Sequence, residues 1–252
     1  MEQTAVLIHG AFGGPWTMQP LAERLGPRGW DCRLPVLRHH NGRADDEAAL
    51  VGLSIADYCD DLEALLRALP EKAVLIGHSM GGVIAQMLAA KGLARAAILL
   101  NSSMIAGILP GTEAERKLGR DLMAAGPFWE QSMHLDFEMV SALALNTLSA
   151  DAQRQVFAQL GPESGRAIFE LFFWMFDERE TTKIDAQAVT CPVLAVSGSE
   201  DRGVSPSIAR QIAARYGDKA AVHLAEGCCH YIMQDEGFAE VADLIGDWMD
   251  QL

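Results

Sequence analysis

Cationic residues are scarce in this chain. Twenty Lys and Arg stand against 34 Asp and Glu in 252 residues, a formal net charge of −14. A surface of that sign repels phosphate backbones and anionic headgroups, so neither nucleic acid nor a membrane surface is an expected partner. Cysteine is sparse and odd in number: Cys32, Cys59, Cys191, Cys228 and Cys229 form neither a paired disulfide framework nor a CxxC metal knuckle. The adjacent pair Cys228–Cys229 reads as two small buried side chains. Long hydrophobic runs are missing, and none approaches the ~20 residues that a membrane-spanning helix needs. The first apolar run begins almost at Met1 and reaches His9, which leaves no room for a basic leader; a reducing cytoplasm is the expected location. Low-complexity tracts and internal repeats are also absent. With half of its residues hydrophobic, the chain is expected to fold as one domain with a large core.

What is present is an alternation of short apolar runs and amphipathic stretches. Thr4–Ile8, Trp30–Val36, Ala73–Ile76, Ala96–Leu100, Val193–Ser197 and Ala220–Leu224 read as strands. Helices are expected over Thr17–Leu25, from a capping-box start at Ser54 and Asp57 to Leu69-Pro70, over Val83–Ala90, around Ile208–Arg215, and from about Phe238 to Trp248. A polar loop is expected at His39–Glu47. This pattern predicts an α/β fold of six mainly parallel strands with helices on both faces, whose active groups sit in loops at the carboxyl ends of the strands. Between Met104 and about Asp185 helical patterns follow one another without a strand. We therefore expect a core at residues 1–103 and 186–252, with a helical lid at residues 104–185 inserted after the fourth strand.

Gly77-His78-Ser79-Met80-Gly81 matches G-x-S-x-G between a strand and a helix, the arrangement of a nucleophile elbow. A serine there could serve merely as a helix cap. The flanking glycines argue otherwise, because they remove the Cβ atoms that so sharp a turn would bring into collision. On this motif and on VLIHGAFGGPW, the chain resembles the α/β-hydrolase fold family. It is most similar there to the group of small plant methylesterases, hydroxynitrile lyases and related bacterial esterases. The resemblance spans essentially the whole chain, and it implies that the two N-terminal antiparallel strands of larger members are missing.

The family order is nucleophile, acid, histidine. The resemblance makes Ser79 the nucleophile and places the acid at Asp201 in SGSEDRGV, with Glu200 the lesser choice. The base is placed at His230 in GCCHYIMQDE. At the end of the preceding strand, where some relatives carry the acid, this chain reads Asn101-Ser102. His9 and His78 are expected to support their loops, His223 to be structural, His39 and His40 to lie in the polar loop, and His134 to lie in the insertion. By resemblance the oxyanion is met by the backbone N–H groups of Met80 and Ala11, with Phe12 as the second choice for the latter.

FELFFWMFDE places Phe169, Phe172, Phe173 and Phe176 at i, i+3, i+4 and i+7, so one helix is expected from Phe169 to Glu178. Part of this face, with Met104, Leu109, Phe128 and Trp129, is expected to roof an apolar pocket over Ser79, with Phe12 and Trp16 as its floor. The implied activity is that of a cofactor-free serine esterase, with no metal, acting on a small hydrophobic ester, lactone or thioester. Lyase, C–C hydrolase, acyltransferase or perhydrolase chemistry on the same triad remains open, as does a non-catalytic receptor. The lysine that follows the catalytic histidine in hydroxynitrile lyases is Tyr231 here, which counts against that lyase.

Overall fold

The computed structural model describes residues 3–43 and 46–252. Among these, the strands in chain order are β1 (Gln3–Ile8), β2 (Trp30–Arg33), β3 (Ala73–His78), β4 (Ala94–Leu100), β5 (Ser132–Met133), β6 (Glu163–Ser164), β7 (Val193–Gly198) and β8 (Ala220–Ala225). The helices are α1 (Gln19–Leu25), α2 (Asp46–Leu50), α3 (Ile55–Arg67), α4 (Met80–Ala90), α5 (Glu113–Ala124), α6 (Phe137–Leu143), α7 (Ala150–Phe157), α8 (Gly165–Phe172), α9 (Pro206–Tyr216) and α10 (Phe238–Met249). Six strands make one sheet in the order β2-β1-β3-β4-β7-β8. Every neighbouring pair in it is parallel.

Successive side chains on a strand point to opposite faces, so each buried run feeds two cores. Ala5, Leu7, Val74, Ile76, Ile98 and Leu100 pack with Leu21 and Leu25 of α1 and Ile245 of α10. Val6, Ile8, Leu75, Ala97 and Leu99 pack with Leu62 of α3, Ile84 of α4 and Ile212 of α9. Helices therefore cover both faces, as expected of a parallel sheet.

Several boundaries differ from the sequence reading. The second strand stops at Arg33, short of Val36, because Pro35 can donate nothing to an edge ladder. The third helix begins where expected, with the capping box of Ser54 and Asp57, but ends at Arg67, short of Leu69. The helix after Ser79 starts at once with Met80, three residues earlier than its apolar run. The expected polar loop His39–Glu47 takes in residues 44 and 45, which lie outside the described residues, as do residues 1 and 2.

The segment between β4 and β7 carries α5 to α8. It also holds a short antiparallel ribbon that the sequence reading lacked, in which Ser132 pairs with Ser164 and Met133 with Glu163. The single helix expected from Phe169 to Glu178 is two pieces: α8 ends at Phe172, and a 3₁₀ turn covers Trp174–Phe176. Between them Phe173 leaves helical geometry at φ −126°, ψ 32°. Tertiary bonds hold the break. The Trp174 indole donates to the Ile108 carbonyl at 3.1 Å, and the Asp177 carboxylate accepts from the Thr181 amide at 2.8 Å and from Arg166.

Three buried carboxylates tie this segment to the rest. Glu115 accepts from the Ser205 amide at 2.6 Å. Glu163 accepts from the Tyr58 hydroxyl at 2.7 Å and meets His40 Nε2 at 3.0 Å. Glu170 accepts from the Ser54 hydroxyl at 2.9 Å and the Ile55 amide at 2.8 Å. Burial opposes the charge on both members of the Glu163–His40 pair. Their mutual bond outweighs it, holding the Glu163 carboxyl below its usual range and raising the His40 imidazole.

Candidate active site

Ser79 follows β3 and caps α4 with φ 53° and ψ −117°, a conformation rare for a side chain with a Cβ. The turn that imposes it has no space to spare. A Cβ on Gly77 would stand 2.1 Å from the Gly81 carbonyl oxygen, and one on Gly81 would stand 2.2 Å from that of Ile8. The backbone of Ser79 is fixed on both sides, by its amide to the Leu100 carbonyl at 3.0 Å and by the Ser103 amide to its own carbonyl at 3.1 Å. Met80 is the first residue of α4, where N–H groups have no acceptor within the helix. The positive end of that helix thus lies beside the serine. Ala11 sits in the turn after β1, closed by the Gly13 amide on the Gly10 carbonyl at 3.4 Å.

His230 lies in the loop after β8. Its Nδ1 is 2.6 Å from Asp201 Oδ2, and Asp201 is buried in the loop after β7. The other carboxylate oxygen, Oδ1, accepts from the amides of Val204 at 2.8 Å and Gly203 at 3.0 Å, so Asp201 is aimed by backbone and not by chance. With Nδ1 so engaged, Nε2 is the ring nitrogen left for other work. Ser79 and His230 line one pocket together.

The backbone of His230 is fixed from below. Its carbonyl accepts from Asn101 Nδ2 at 2.7 Å and from His78 Nε2 at 2.9 Å. Asn101, at the end of β4, also donates to the Cys229 carbonyl at 3.1 Å and accepts from the Gly198 amide at 2.7 Å. It joins the loop after β7, which carries Asp201, to the loop after β8, which carries His230. Burial first, and the nearby His230 second, lower the His78 pKa to about 3, so its ring is neutral. Burial likewise takes His9 to about 4, and its Nε2 accepts from the Leu37 amide at 3.2 Å.

The pocket has a volume of about 120 Å³ and an almost wholly apolar lining. Of the aromatic and aliphatic positions expected around it, Phe12 and Phe172 line it, together with Ala11. The others lie elsewhere. Trp16 stacks behind Tyr231, with ring centroids 6.5 Å apart. Phe128 and Phe173 are buried against each other at 5.9 Å, and Trp129 packs on Phe169 at 5.2 Å. Met104 is buried beside them in the core, whereas Leu109 and Phe176 are exposed. The walls that the sequence reading missed come mainly from α6, through Met139, Val140 and Leu143, with Leu118 of α5, Leu171 of α8 and Tyr231. The spacing of Met139, Val140 and Leu143 is that of an amphipathic helix and could have marked them.

The other histidines stand outside this pocket. His40 pairs with Glu163, His134 with Glu47 at 2.8 Å, and His223 lies on edge strand β8. Among the described residues no group of three His, Cys, Asp or Glu is placed to hold a metal ion, and no helix is long and apolar enough to cross a membrane.

Comparison with known proteins agrees with this architecture. The methylesterase MES16 from Arabidopsis superposes with a TM-score of 0.75 at 17% identity, over 99% of this chain and 100% of that one. Polyneuridine aldehyde esterase gives 0.75 at 19% identity, over 99% and 100%. A monoacylglycerol lipase from Paleococcus ferrophilus gives 0.72 at 21% identity, over 97% and 93%. At such identities the likeness is one of fold. No curated protein matches the chain. A family model described as the alpha/beta hydrolase family matches residues 5–244. Since that match runs from β1 into α10 and takes in Ser79, Asp201 and His230, the chain belongs to the alpha/beta hydrolase family.

Proposed function

We propose that this protein is a cofactor-free serine hydrolase of the carboxylesterase type, cleaving small esters with an uncharged, apolar acyl or alcohol part. One observation carries the reading. The imidazole of His230 is oriented by Asp201 at 2.6 Å while facing the same pocket as the strained Ser79. The esterases and the lipase of like fold lend support to the ester as substrate class.

The steps follow from the groups present. Ser79 Oγ attacks the ester carbonyl carbon as His230 Nε2 takes the hydroxyl proton, and Asp201 stabilises the imidazolium. The carbonyl electron pair moves to oxygen, where the amides of Met80 and Ala11 receive it; one such donor is worth about 3 kcal/mol of barrier. Collapse expels the alcohol, protonated by His230, and leaves an acyl-serine. Water, deprotonated by His230, attacks that carbonyl, and serine departs with the proton to release the acid.

The segment between β4 and β7 acts as a lid on this chemistry, its α5, α6 and α8 supplying much of the apolar wall. All five cysteines are free thiols, which supports a reducing, cytoplasmic setting. A fluorophosphonate is expected to label Ser79, and short p-nitrophenyl esters to be turned over by the wild type and not by Ser79→Ala. Folded protein that takes up no label and turns over no ester removes this reading.

A further inference from the structure

Phe172, the last residue of α8, faces two hollows. On one side it lines the pocket of about 120 Å³ that holds Ser79. On the other it lines a solvent-open apolar groove of about 460 Å³, with Met104, Met123, Phe173, Met175 and Phe176. Among the described residues, Phe172 lines both. The groove is mainly apolar: Met123, Met175 and Phe176 are 42%, 46% and 65% exposed, and the one carboxylate in its lining, Glu115, is buried on the amides of Gly111, Thr112 and Ser205. The arginines at its rim, Arg116 and Arg120, are both paired with Glu113.

The geometry points to Phe172 as the residue that sets chain length in the substrate, a specificity role that rests on the ester reading above. Its ring is a partition between a small pocket that touches the nucleophile and a longer apolar surface that does not. A 150 Å³ apolar cavity holds benzene, so a pocket of about 120 Å³ takes an unbranched chain of about five carbons. A longer chain meets the ring. The substrates are therefore esters with one short, uncharged alkyl group, and removal of the ring joins pocket and groove into one channel.

The test is a series of p-nitrophenyl esters with acyl chains of about two to twelve carbons, run on the wild type, Phe172→Ala and Phe172→Leu. In the wild type kcat/KM should climb by up to about fourfold per buried methylene, level off near five carbons, and then fall. In Phe172→Ala the break should move out by several carbons. Phe172→Leu, a milder change that guards against misfolding, should move it part of the way. Adding Phe176→Ser, at an exposed groove position, should cut the long-chain gain and leave the short ester untouched.

A parallel series of 1-alkanols, followed by thermal shift, needs no nucleophile and should show the same displaced break. A wild type that already prefers chains of about eight carbons or more overturns the partition, as does a break that stays put in both variants. If no ester is turned over while the alkanol break moves with Phe172, the ester reading fails and the partition stands.

Discussion

Asn101→Asp is a near-isosteric change that turns one buried hydrogen-bond junction into a pH-dependent liability. The amide is oriented by its partners: Oδ1 faces the Gly198 amide at 2.7 Å, and Nδ2 faces the carbonyls of His230 at 2.7 Å and Cys229 at 3.1 Å. Aspartate keeps the acceptor for Gly198 but sets an oxygen against two carbonyls, at a residue only 1% exposed. Protonated, that oxygen still donates one bond, and the loss is about 1 kcal/mol. Ionised, it is a buried charge facing two acceptors, so its folded pKa must lie above the unfolded value of about 3.9. The unfolded chain then releases its proton first, and stability falls as pH rises through the window between the two values. The slope is about 1.4 kcal/mol per pH unit, up to the 3–5 kcal/mol roughly typical of an uncompensated buried charge.

Urea unfolding of wild type and variant from about pH 5 to about pH 8 reads this difference directly, since titrations common to both cancel. Asn101→Leu should show a large loss of about 3 kcal/mol with no dependence on pH. Because the junction holds the loop of His230, labelling of Ser79 by a fluorophosphonate should slow in parallel with the pH-dependent loss. A penalty for Asn101→Asp that is flat across this range would refute the assigned geometry.

Two further outcomes follow from the described contacts. His9 and His78 are neutral in the fold, with pKa values of about 4 and about 3 against an ordinary 6.5, so the unfolded chain binds more protons between these limits. Their stabilisation is present above pH ~6.5 and is lost as pH falls, by up to about 1.4 kcal/mol per unit each. Urea midpoints that do not fall between pH ~6.5 and ~5 would contradict their burial as neutral rings. Gly81→Ala places a Cβ 2.2 Å from the Ile8 carbonyl oxygen, a clash with backbone that no rotamer relieves. It should cost about 3 kcal/mol or more and abolish serine labelling, whereas a stable, reactive variant would show that the turn is looser than drawn.

The parts of the site legible in the sequence are those whose chemistry is local. A strand, a glycine-flanked serine and a helix mark the turn at Ser79 within a dozen residues, and the loops of Asp201 and His230 each follow a recognisable apolar strand. The walls of the pocket were not legible to the same degree, because they depend on which turn of which helix faces Ser79. The four phenylalanines from Phe169 to Phe176 keep perfect helical spacing, yet the Trp174 bond to Ile108 breaks the helix and sends Phe172 and Phe176 to different surroundings. Nor could His40 and Glu163 be matched from a sequence that places them far apart, although the structure sets them 3.0 Å from each other. Asn101 lacks the carboxylate that would mark it in the sequence. Its amide joins the loops of Asp201 and His230, a task that an ionised acid could not perform.

Glu115 of α5, Glu163 of β6 and Glu170 of α8 reach from the segment between β4 and β7 to three separate places in the rest of the fold, the Ser205 amide, the His40–Tyr58 pair and the start of α3. Swinging that segment away as a body would leave each carboxylate only the donors of its own segment, such as the Thr112 amide, the Ser164 amide and Arg166, and would break all three sets of contacts to the rest of the fold together, at a cost of a few kcal/mol each. Tied at three points, the lid proposed above would not swing as one body. Under such a lid, access to Ser79 would depend on side chains turning at the rim, on the nanosecond scale of rotamers and not the far slower scale of domain closure.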